Sequence, residues 1–375
     1  MLKGFYLTLL VGPVVPIPAP KTVVDSLTSV QVTTASGRRS GFQLTFTLSL
    51  RSPLHTIFLI SGGGIIPIIR VILIVTVNGT PEVLIDGVMT NHQVTPSNTP
   101  GQATLTVTGE DLSAVMDWID FSGVPYPAMP AEARVALIVA KYAMFGMIPL
   151  VIPSILIDVP IPTEEIPRHQ GTDLQYIQKL ADDVGYVFFV APGPVPGTNI
   201  AYWGPDLKIG LPQPALNYDM DAQSNVESLS FTFDTQSKTL PVLFIQNLLT
   251  KIPIPIPVPD ITPLSPPLGL IPPIPRRLEF IEGTSGLSPI QAALIGLAKA
   301  SKSSDAVTAT GSLDVLRYGR PLKARGLVGV RGVGPAYDGL YYVSSVTHDI
   351  KRGEYKQNFT LVRNGLVSTL PRVPT

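Results

Sequence analysis

The side chains that could carry chemistry are few and scattered. The four histidines, His55, His92, His169 and His348, are far apart and show no H-x-H or H-E-x-x-H spacing, so no metal site is predicted. With no cysteine, disulfides, thiolate metal sites and a cysteine nucleophile all drop out together. Glu164-Glu165 with His169 and Asp173 is the densest titratable group. Acidic residues entering a helix N-terminus explain it without catalysis, because the positive end of the helix dipole favours them. Asp182-Asp183 closes the helix that begins near Thr172 and reads as a solvated terminus, not a general acid–base pair. Gly329-Val-Arg-Gly-Val-Gly334 invites comparison with a dinucleotide loop, but position 337 is Tyr and no helix follows to receive a phosphate. Gly283-Thr-Ser-Gly286 fits neither a nucleophile elbow nor a phosphate loop. Asn78-Gly-Thr80 and Asn358-Phe-Thr360 match the glycosylation tripeptide, yet both fall in predicted hairpins. The residues therefore predict no enzyme, no cofactor and no metal.

Composition narrows the classes further. At 375 residues the chain has room for about two or three domains. Charged residues make up 14%, against roughly 25% in an average soluble domain, and 39 prolines are about twice the usual share. Lys plus Arg and Asp plus Glu are 27 each, so no basic surplus exists to neutralise a phosphate backbone, and sequence-specific nucleic-acid binding is not expected. A neutral chain with 45% hydrophobic residues and mean hydropathy +0.31 must cover its surface with partners or touch lipid. The best membrane candidate, His55 to Val77, is broken by Gly62-Gly63-Gly64, Pro67 and Arg70, whereas a spanning helix needs about 20 mostly apolar residues. Two short strands around a glycine loop are predicted there. Ala136 to Ile161 carries Lys141, Asp158 and prolines 149, 153 and 160, so any helix ends before Pro149. No stable membrane insertion is expected. The alternative is an envelope-associated β-protein touching lipid through its apolar segments. Phe5 to Val11 reads as a first strand rather than a signal peptide.

The elements that would position these residues are mainly β. Phe42 to Leu50 alternates apolar and polar residues, placing Phe42, Leu44, Phe46, Leu48 and Leu50 on one buried face. Arg70 to Val77 and Glu82 to Met89 should form a hairpin across Asn78-Gly79, a pair suited to the positive φ of a type I′ turn. Ala103, Leu105 and Val107 alternate with Thr104, Thr106 and Thr108 in another strand, and Gly109 to Trp118 follows as a short helix against the sheet. The middle changes character. A helix within Pro130 to Phe145 and a second from an N-cap at Thr172, with Leu174, Ile177 and Leu180 inward, lead into strands at Tyr186 to Val190 and Asn199 to Trp203. Val226 to Asp234 puts Leu229, Phe231 and Phe233 on one face and Ser228, Ser230 and Thr232 on the other, and could rejoin the first β-region. From Lys251 to Arg277 ten prolines interleave with Ile, Leu and Val, a run that cannot be a helix or a central strand. A docked apolar arm and a stiff linker are the two readings, with a ligand for SH3-type modules as a third. Ser288-Pro289 should open a helix to about Ala300; strands at Asp314 to Tyr318, Gly326 to Val330, Leu340 to His348 and Glu354 to Arg363 complete the chain.

Several of these segments, in this order, resemble the late control D family, the baseplate hub proteins of contractile phage tails and injection systems. Gly171 to Val190 looks like the family's helix-then-strand segment and Ile200-Ala-Tyr-Trp-Gly-Pro205 like the strand and turn that follow it. Asn225 to Asp234 is similar to a strand returning to the first barrel, and Gly339 to His348 with Gly353 to Arg363 to the terminal hairpin. The resemblance implies an α+β, mainly β fold of two tail-tube-like β-barrel domains with flanking helices. On that basis 1–112 is a first tube-like domain completed by about 213–250, 113–212 an α/β insert, 251–280 a Pro-rich arm or linker, and 281–375 a helix plus the second tube-like domain. It further implies a homotrimer forming a pseudo-sixfold ring between hexameric inner tube and trimeric spike. Its partners would be a spike protein, an inner tube or tube-initiator protein and baseplate wedge proteins. Its place would be the baseplate of a virion or injection particle, assembled in the bacterial cytoplasm. The residues expected at subunit contacts or in barrel packing are Leu229, Phe231, Phe233, Tyr341, Val343, Tyr355, Phe359 and Leu361. The chain carries no recognisable spike region, so a separate spike protein is expected. A wall-degrading tail enzyme is the competing enzymatic class, and no acid–base pair supports it.

Overall fold

A computed structural model of the chain describes residues 4–49, 52–60, 68–97, 103–154, 160, 162–163, 166–236, 238–246, 253–257, 266–281, 296 and 305–370. The fold is α+β and mainly β. In chain order the strands are β1 (Phe5–Gly12), β2 (Ile17–Pro18), β3 (Leu27–Ala35), β4 (Gly41–Leu48), β5 (Arg70–Val77), β6 (Thr80–Thr95), β7 (Ala103–Asp111), β8 (Met147–Val151), β9 (Val187–Pro192), β10 (Asn199–Gly204) and β11 (Gln213–Asn217). They continue as β12 (Ser228–Phe233), β13 (Thr239–Gln246), β14 (Pro253–Pro257), β15 (Gly269–Ile271), β16 (Arg277–Ile281), β17 (Val307–Asp314), β18 (Leu327–Arg331), β19 (Gly339–Lys351), β20 (Glu354–Arg363) and β21 (Leu366–Ser368).

Period-two alternation places Phe42, Leu44, Phe46 and Leu48 of β4 and Leu105 and Val107 of β7 in the core, as their spacing requires. The β5–β6 hairpin closes through Asn78 (φ 51°) and Gly79 (φ 85°), the two positive φ values that its turn demands. Thirteen strands form one sheet, with the path β12-β17-β20-β19-β3-β4-β7-β6-β5-β1-β2 and with β11 and β18 attached beside β19. The two sequence-distant halves meet at the antiparallel β3–β19 ladder, from Ser345↔Ala35 to Lys351↔Ser29. One apolar cluster runs beneath both halves, from Leu9, Phe46 and Leu73 to Val307, Tyr341 and Phe359.

Three expectations are corrected. The strand Val226 to Asp234, which could rejoin the first β-region on its pattern, does not: β12 pairs with β17, in register from Ser228↔Ser312 to Phe233↔Val307. The β17 strand, with its alternating Val307, Ala309 and Leu313 inward, offers the apolar partner that faces Leu229, Phe231 and Phe233. His55 to Ile60 is a wide helical turn and not a strand. Leu54 and Phe58, four residues apart, fall on one side of it and are both fully buried, with Phe58 5.5 Å from the Phe46 ring. Asp314 to Tyr318 was read as a strand; the strand ends at Asp314, whose Oδ1 accepts from the Leu316 and Arg317 N–H groups and caps a helical turn over Val315–Tyr318. The glycine loop 62–64 and almost all of the Ser288 to Ala300 helix lie outside the described residues.

The middle of the chain builds a second layer with its own core. Helices α2 (Ala131–Ala140) and α3 (Asp173–Val184) pack on the small sheet β8-β10-β9, around Ile138, Ile177, Phe188 and Trp203; α1 is the short Lys21–Ser26 helix of the first region. Thr172 and Gln175 make a reciprocal capping box at the start of α3, and Gly185 (φ 72°) ends it. This unit is fastened to the long sheet by Arg70, the residue that spoils the apolar run as a membrane span. Its guanidinium is buried against Asp86, with Nε and Nη2 each 2.7 Å from a carboxylate oxygen. The same group donates to the carbonyls of Val14, Phe145 and Gly197, and Asn199 Nδ2 donates to Asp86 at 2.8 Å. Among the described residues no helix is long and apolar enough to cross a membrane.

Removing one member of such a buried pair strands the other. Asp86→Ala should cost about 3–5 kcal/mol, and Arg70→Met with Asp86→Leu should recover at least half of that, since an apolar pair leaves no unmatched charge. Urea unfolding followed at Trp203 reads both variants. A double variant no more stable than the single one would contradict this account.

Candidate functional site

The solvent side of the long sheet is the largest surface built by the β alternation. Along β3, β4, β7, β12, β17 and β20 the inward apolar residues alternate with outward neighbours that are chiefly Ser, Thr, Asn and Gln. Cross-strand register sets them side by side. Ser228↔Ser312, Ser312↔Asn358, Asn358↔Thr347 and Thr347↔Thr33 form one row across β12, β17, β20, β19 and β3. The face continues as Gln31↔Gln43, Gln43↔Thr108 and Thr108↔Asn91 across β3, β4, β7 and β6, and as Ser29↔Thr45, Thr45↔Thr106 and Thr106↔Gln93. The hydroxyls bond to one another across the strands: Ser228 Oγ to Ser312 Oγ is 2.8 Å and Thr33 Oγ1 to Thr347 Oγ1 is 3.1 Å.

Charge on this face is sparse and matched. Asp349 accepts from Gln31 Nε2 at 2.9 Å and from Asn358 Nδ2 at 2.8 Å. Lys356 lies 3.1 Å from Glu227 and 3.4 Å from Glu354. Glu110, at the end of β7, meets Arg39 at 2.9 Å. A shallow groove of about 480 Å³ crosses β12, β17, β20 and β19 and is lined by Ser230, Thr310, Ser345, Thr360 and their neighbours. Such a surface is wettable, but it offers no cationic row for phosphates and no aromatic platform for bases.

The eight residues singled out for contact or packing all belong to the other side of this sheet. Tyr341, Val343, Tyr355, Phe359 and Leu361 are buried in the shared cluster, and Leu229, Phe231 and Phe233 are half-buried against it on the last strand. Phe231 stacks on Tyr337 at 4.8 Å between ring centroids and lies 6.0 Å from Tyr341. Asp234 N–H donates to Ala306 O at 2.9 Å, and ladder bonds alternate, so even-numbered residues of β12 face β17. The backbone N–H and C=O of Leu229, Phe231 and Phe233 therefore face outward. At the far end Ala19 N–H donates to Leu9 O, which puts Phe5 and Leu7 on the outer side of β1 in the same way. Among the described residues no strand pairs with the outer edge of β12, and the Phe5–Thr8 stretch of β1 pairs with β5 on one side and with no strand on the other. The long sheet ends in two open edges.

The titratable group of the middle region is assembled differently from the sequence expectation. Glu164 and Glu165 lie outside the described residues. His169 and Asp173 are both buried; Asp173 takes Lys141 Nζ on one side, with 2.6 Å the shortest approach, and the Tyr142 hydroxyl at 2.7 Å on the other. His169 Nδ1 is 3.0 Å from Tyr126 Oη, and its ring lies 4.4 Å from Tyr176. Burial pushes the His169 imidazole below its ordinary value. This is a helix-packing cluster between α2 and α3. Asp182 and Asp183 are exposed at the far end of α3, His55 is 3.1 Å from Ser49 O, and His92 is half-buried on β6. Among the described residues no group of three or more His, Asp or Glu is placed to hold a metal ion. The glycine-rich loop after β18 is a packed turn. A side chain at Gly332 (φ 86°) would strike Tyr218 O, and the buried Arg363 guanidinium donates to Ala336 O at 2.8 Å and Asp338 O at 3.0 Å. Gly283 to Gly286 lies outside the described residues.

His348 is the buried group that spacing alone misses. The terminal hairpin pairs it with Gln357, one position from Tyr355 on the same inward face. Gln357 Oε1 accepts from Leu322 N–H and its Nε2 donates to Leu322 O, which fixes the amide orientation. The same Nε2 lies 3.3 Å from His348 Nδ1, with Tyr355 Oη at 2.7 Å, so Nδ1 accepts and the ring proton resides on Nε2. Burial pushes this imidazole down to about 4.

The sequence matches no protein-family model and no curated protein. Its fold does find relatives among solved structures. A tail protein of Neisseria meningitidis aligns over 97% of this chain and 98% of its own, with TM-score 0.63 and 13% identity. The fold is that of a phage tail protein. A prophage MuSo2 43 kDa tail protein from Shewanella oneidensis aligns over 96% and 98% at TM-score 0.59 and 14% identity. The E. coli c3393 protein, a component of the type VI secretion system, aligns over 93% of this chain and 78% of its own at TM-score 0.53 and 12% identity. At such identities the shared tail-protein fold is a likeness of architecture.

Folded His348 stays neutral above about pH 4, while in the unfolded chain it takes a proton below about 6.5. Stability from this group is therefore complete above pH 6.5 and falls as pH drops toward 4, by about 3 kcal/mol in all. His169 acts with the same sign. His348→Gln should flatten a large part of the acid limb in urea midpoints taken from pH 7.5 to 4; an unchanged slope would count against it.

Proposed function

We propose that this protein is a non-enzymatic structural hub of a contractile tail or injection machine. Copies of its long sheet join edge to edge into a ring around a lumen lined by the hydroxyl face. The observation that carries the reading is the conjunction of a neutral Ser/Thr/Asn/Gln face with two open edges on one sheet. The phage-tail fold supports it, as does the likeness to chains of a Francisella PdpA–VgrG complex, which covers 99% of this chain and 55% of that one at 8% identity and TM-score 0.63. In this reading the molecule is a homotrimer of the late control D type. Each subunit offers two tube-like β-units, and the six together join a hexameric inner tube to a trimeric spike. Spike, tube or tube-initiator and wedge proteins are its partners. Its location is the baseplate of a virion or injection particle assembled in the bacterial cytoplasm. A lumen without a cationic row lets a charged polymer pass without arresting it, because phosphate binding scales with the number of Lys and Arg contacts.

Ring formation is tested on the purified chain. Light scattering should give the trimer mass and electron microscopy a closed ring; a monomer at all concentrations would sink the reading. Phe233→Pro removes an N–H that faces the open edge and no bond to β17, so it should yield a folded monomer. Lining is tested separately. Thr310→Lys with Thr360→Lys sets two like charges directly opposite across β17 and β20, so it should cost about 1 kcal/mol and convert a chain that does not retain DNA into one that binds it in a salt-dependent way. Tight, sequence-selective DNA binding by the unsubstituted chain would contradict a passive lumen.

A further inference from the structure

The Pro-rich segment contributes β14 to a small separate sheet, β14-β13-β16, whose central strand β13 precedes the segment, while its β15 pairs with β21. The β13–β14 pairing is antiparallel, from Val242↔Pro257 through Leu243↔Ile256, Phe244↔Pro255 and Ile245↔Ile254 to Gln246↔Pro253. Backbone groups of alternate residues in a strand point to opposite edges. A proline has no N–H, so a two-way ladder with β13 can be made only by Ile254 and Ile256. Those two residues therefore face β13, and Pro253, Pro255 and Pro257 all face the outer edge. That edge carries three carbonyls and no donor.

From this register we infer that the alternating prolines close one edge of the arm sheet, which makes the arm an interaction surface that refuses strand addition. An incoming strand must both give and receive along its length, and here it would find acceptors alone. The hazard being suppressed is visible next door. On β16, Leu278 and Phe280 share a face and are 61% and 54% exposed, in a protein with few charged residues to keep such strands apart. A sheet with one live edge can pair once, through β16, whereas open-ended growth needs two. The arm can meet one neighbour through β16 without propagating into fibres, and assembly through two edges is left to the long sheet.

The test restores the missing donors with P253T/P255T/P257T in the full chain. Hydrogen exchange on dilute protein should find the new amides at 253, 255 and 257 within about tenfold of the unprotected rate, with Ile254 and Ile256 protected. On concentration, the variant should grow in mass without a plateau and bind thioflavin, while the unsubstituted chain keeps a finite mass. Protection of the new amides in dilute solution would show that they face β13 and overturn the inference. So would a variant whose mass follows that of the unsubstituted chain at every concentration. Should the triple change also expose Ile254 and Ile256, P255T alone repeats the measurement with the flanking prolines in place. Ring formation is read independently, from the mass of the unsubstituted chain.

Discussion

The β3–β19 ladder is the constraint on which the rest of the structure depends. It joins residues 29–35 to residues 345–351, a separation of over three hundred positions, as in the Gln31–Asp349 bond. Without it the molecule is two β-sheets, each with one face to bury. With it, one apolar cluster extends beneath twelve of the thirteen strands and the polar rows cross the junction without a gap, through Thr347↔Thr33 and Asp349↔Gln31. Closing so long a loop costs chain entropy that only many simultaneous contacts offset, and the ladder with the shared core beneath it supplies them. The seam is also where His348 is buried, paired across to Val32 on β3 and to Gln357 on β20.

Low charge shapes how the molecule uses the charges it has. Arg70 with Asp86 fastens the α/β layer to the sheet, Lys141 with Asp173 joins α2 to α3, and Arg363 holds the loop after β18 through carbonyl oxygens while lying 4.5 Å over the Tyr341 ring. Arg70, Asp86, Asp173 and Arg363 are enclosed and satisfied by several partners, the condition under which a buried charge is tolerated, while Lys141 reaches Asp173 from the surface. Very little is left for the outward face, and what remains there is matched in sign. These few buried ionic groups therefore sit at joints: Arg70 with Asp86 between layers, Asp173 between helices and Arg363 under a loop.

Much of the fold was legible where periodicity is strong. The alternation of Phe42 to Leu48, the Asn78-Gly79 hairpin and the Thr172 cap each state their own structure, because the determining interactions are local. The threonines of β7 and the serines of β12 were legible as outward residues too. Their merger into one surface was not, since it depends on which strands become neighbours, and β12 chose β17 over the first region. Leu54 and Phe58 show the complementary failure: an apolar run has no period of its own, and a four-residue spacing onto Phe46 decided for a helical turn. Arg70 carried a usable signal. Given the hairpin register, Arg70 and Asp86 fall on diagonal positions of β5 and β6, and an opposite-charge pair amid Val, Ile and Leu points to a buried bond.

Open edges determine what kind of assembly the sheet permits. The β12 edge and the β1 edge belong to different sequences at opposite ends of one path, so a contact between copies through both is head to tail. Such contacts close into rings only when the rotation per copy divides a full turn; otherwise they run on as filaments. Sheet twist, fixed at the β3–β19 seam and carried through every ladder on either side, sets that rotation. A rigid junction between the halves is therefore a requirement for closure, and a core that continues beneath it supplies the rigidity. The proline edge of the arm acts at the same level, by removing a second, unregulated route through which a sheet-rich, weakly charged chain would otherwise propagate.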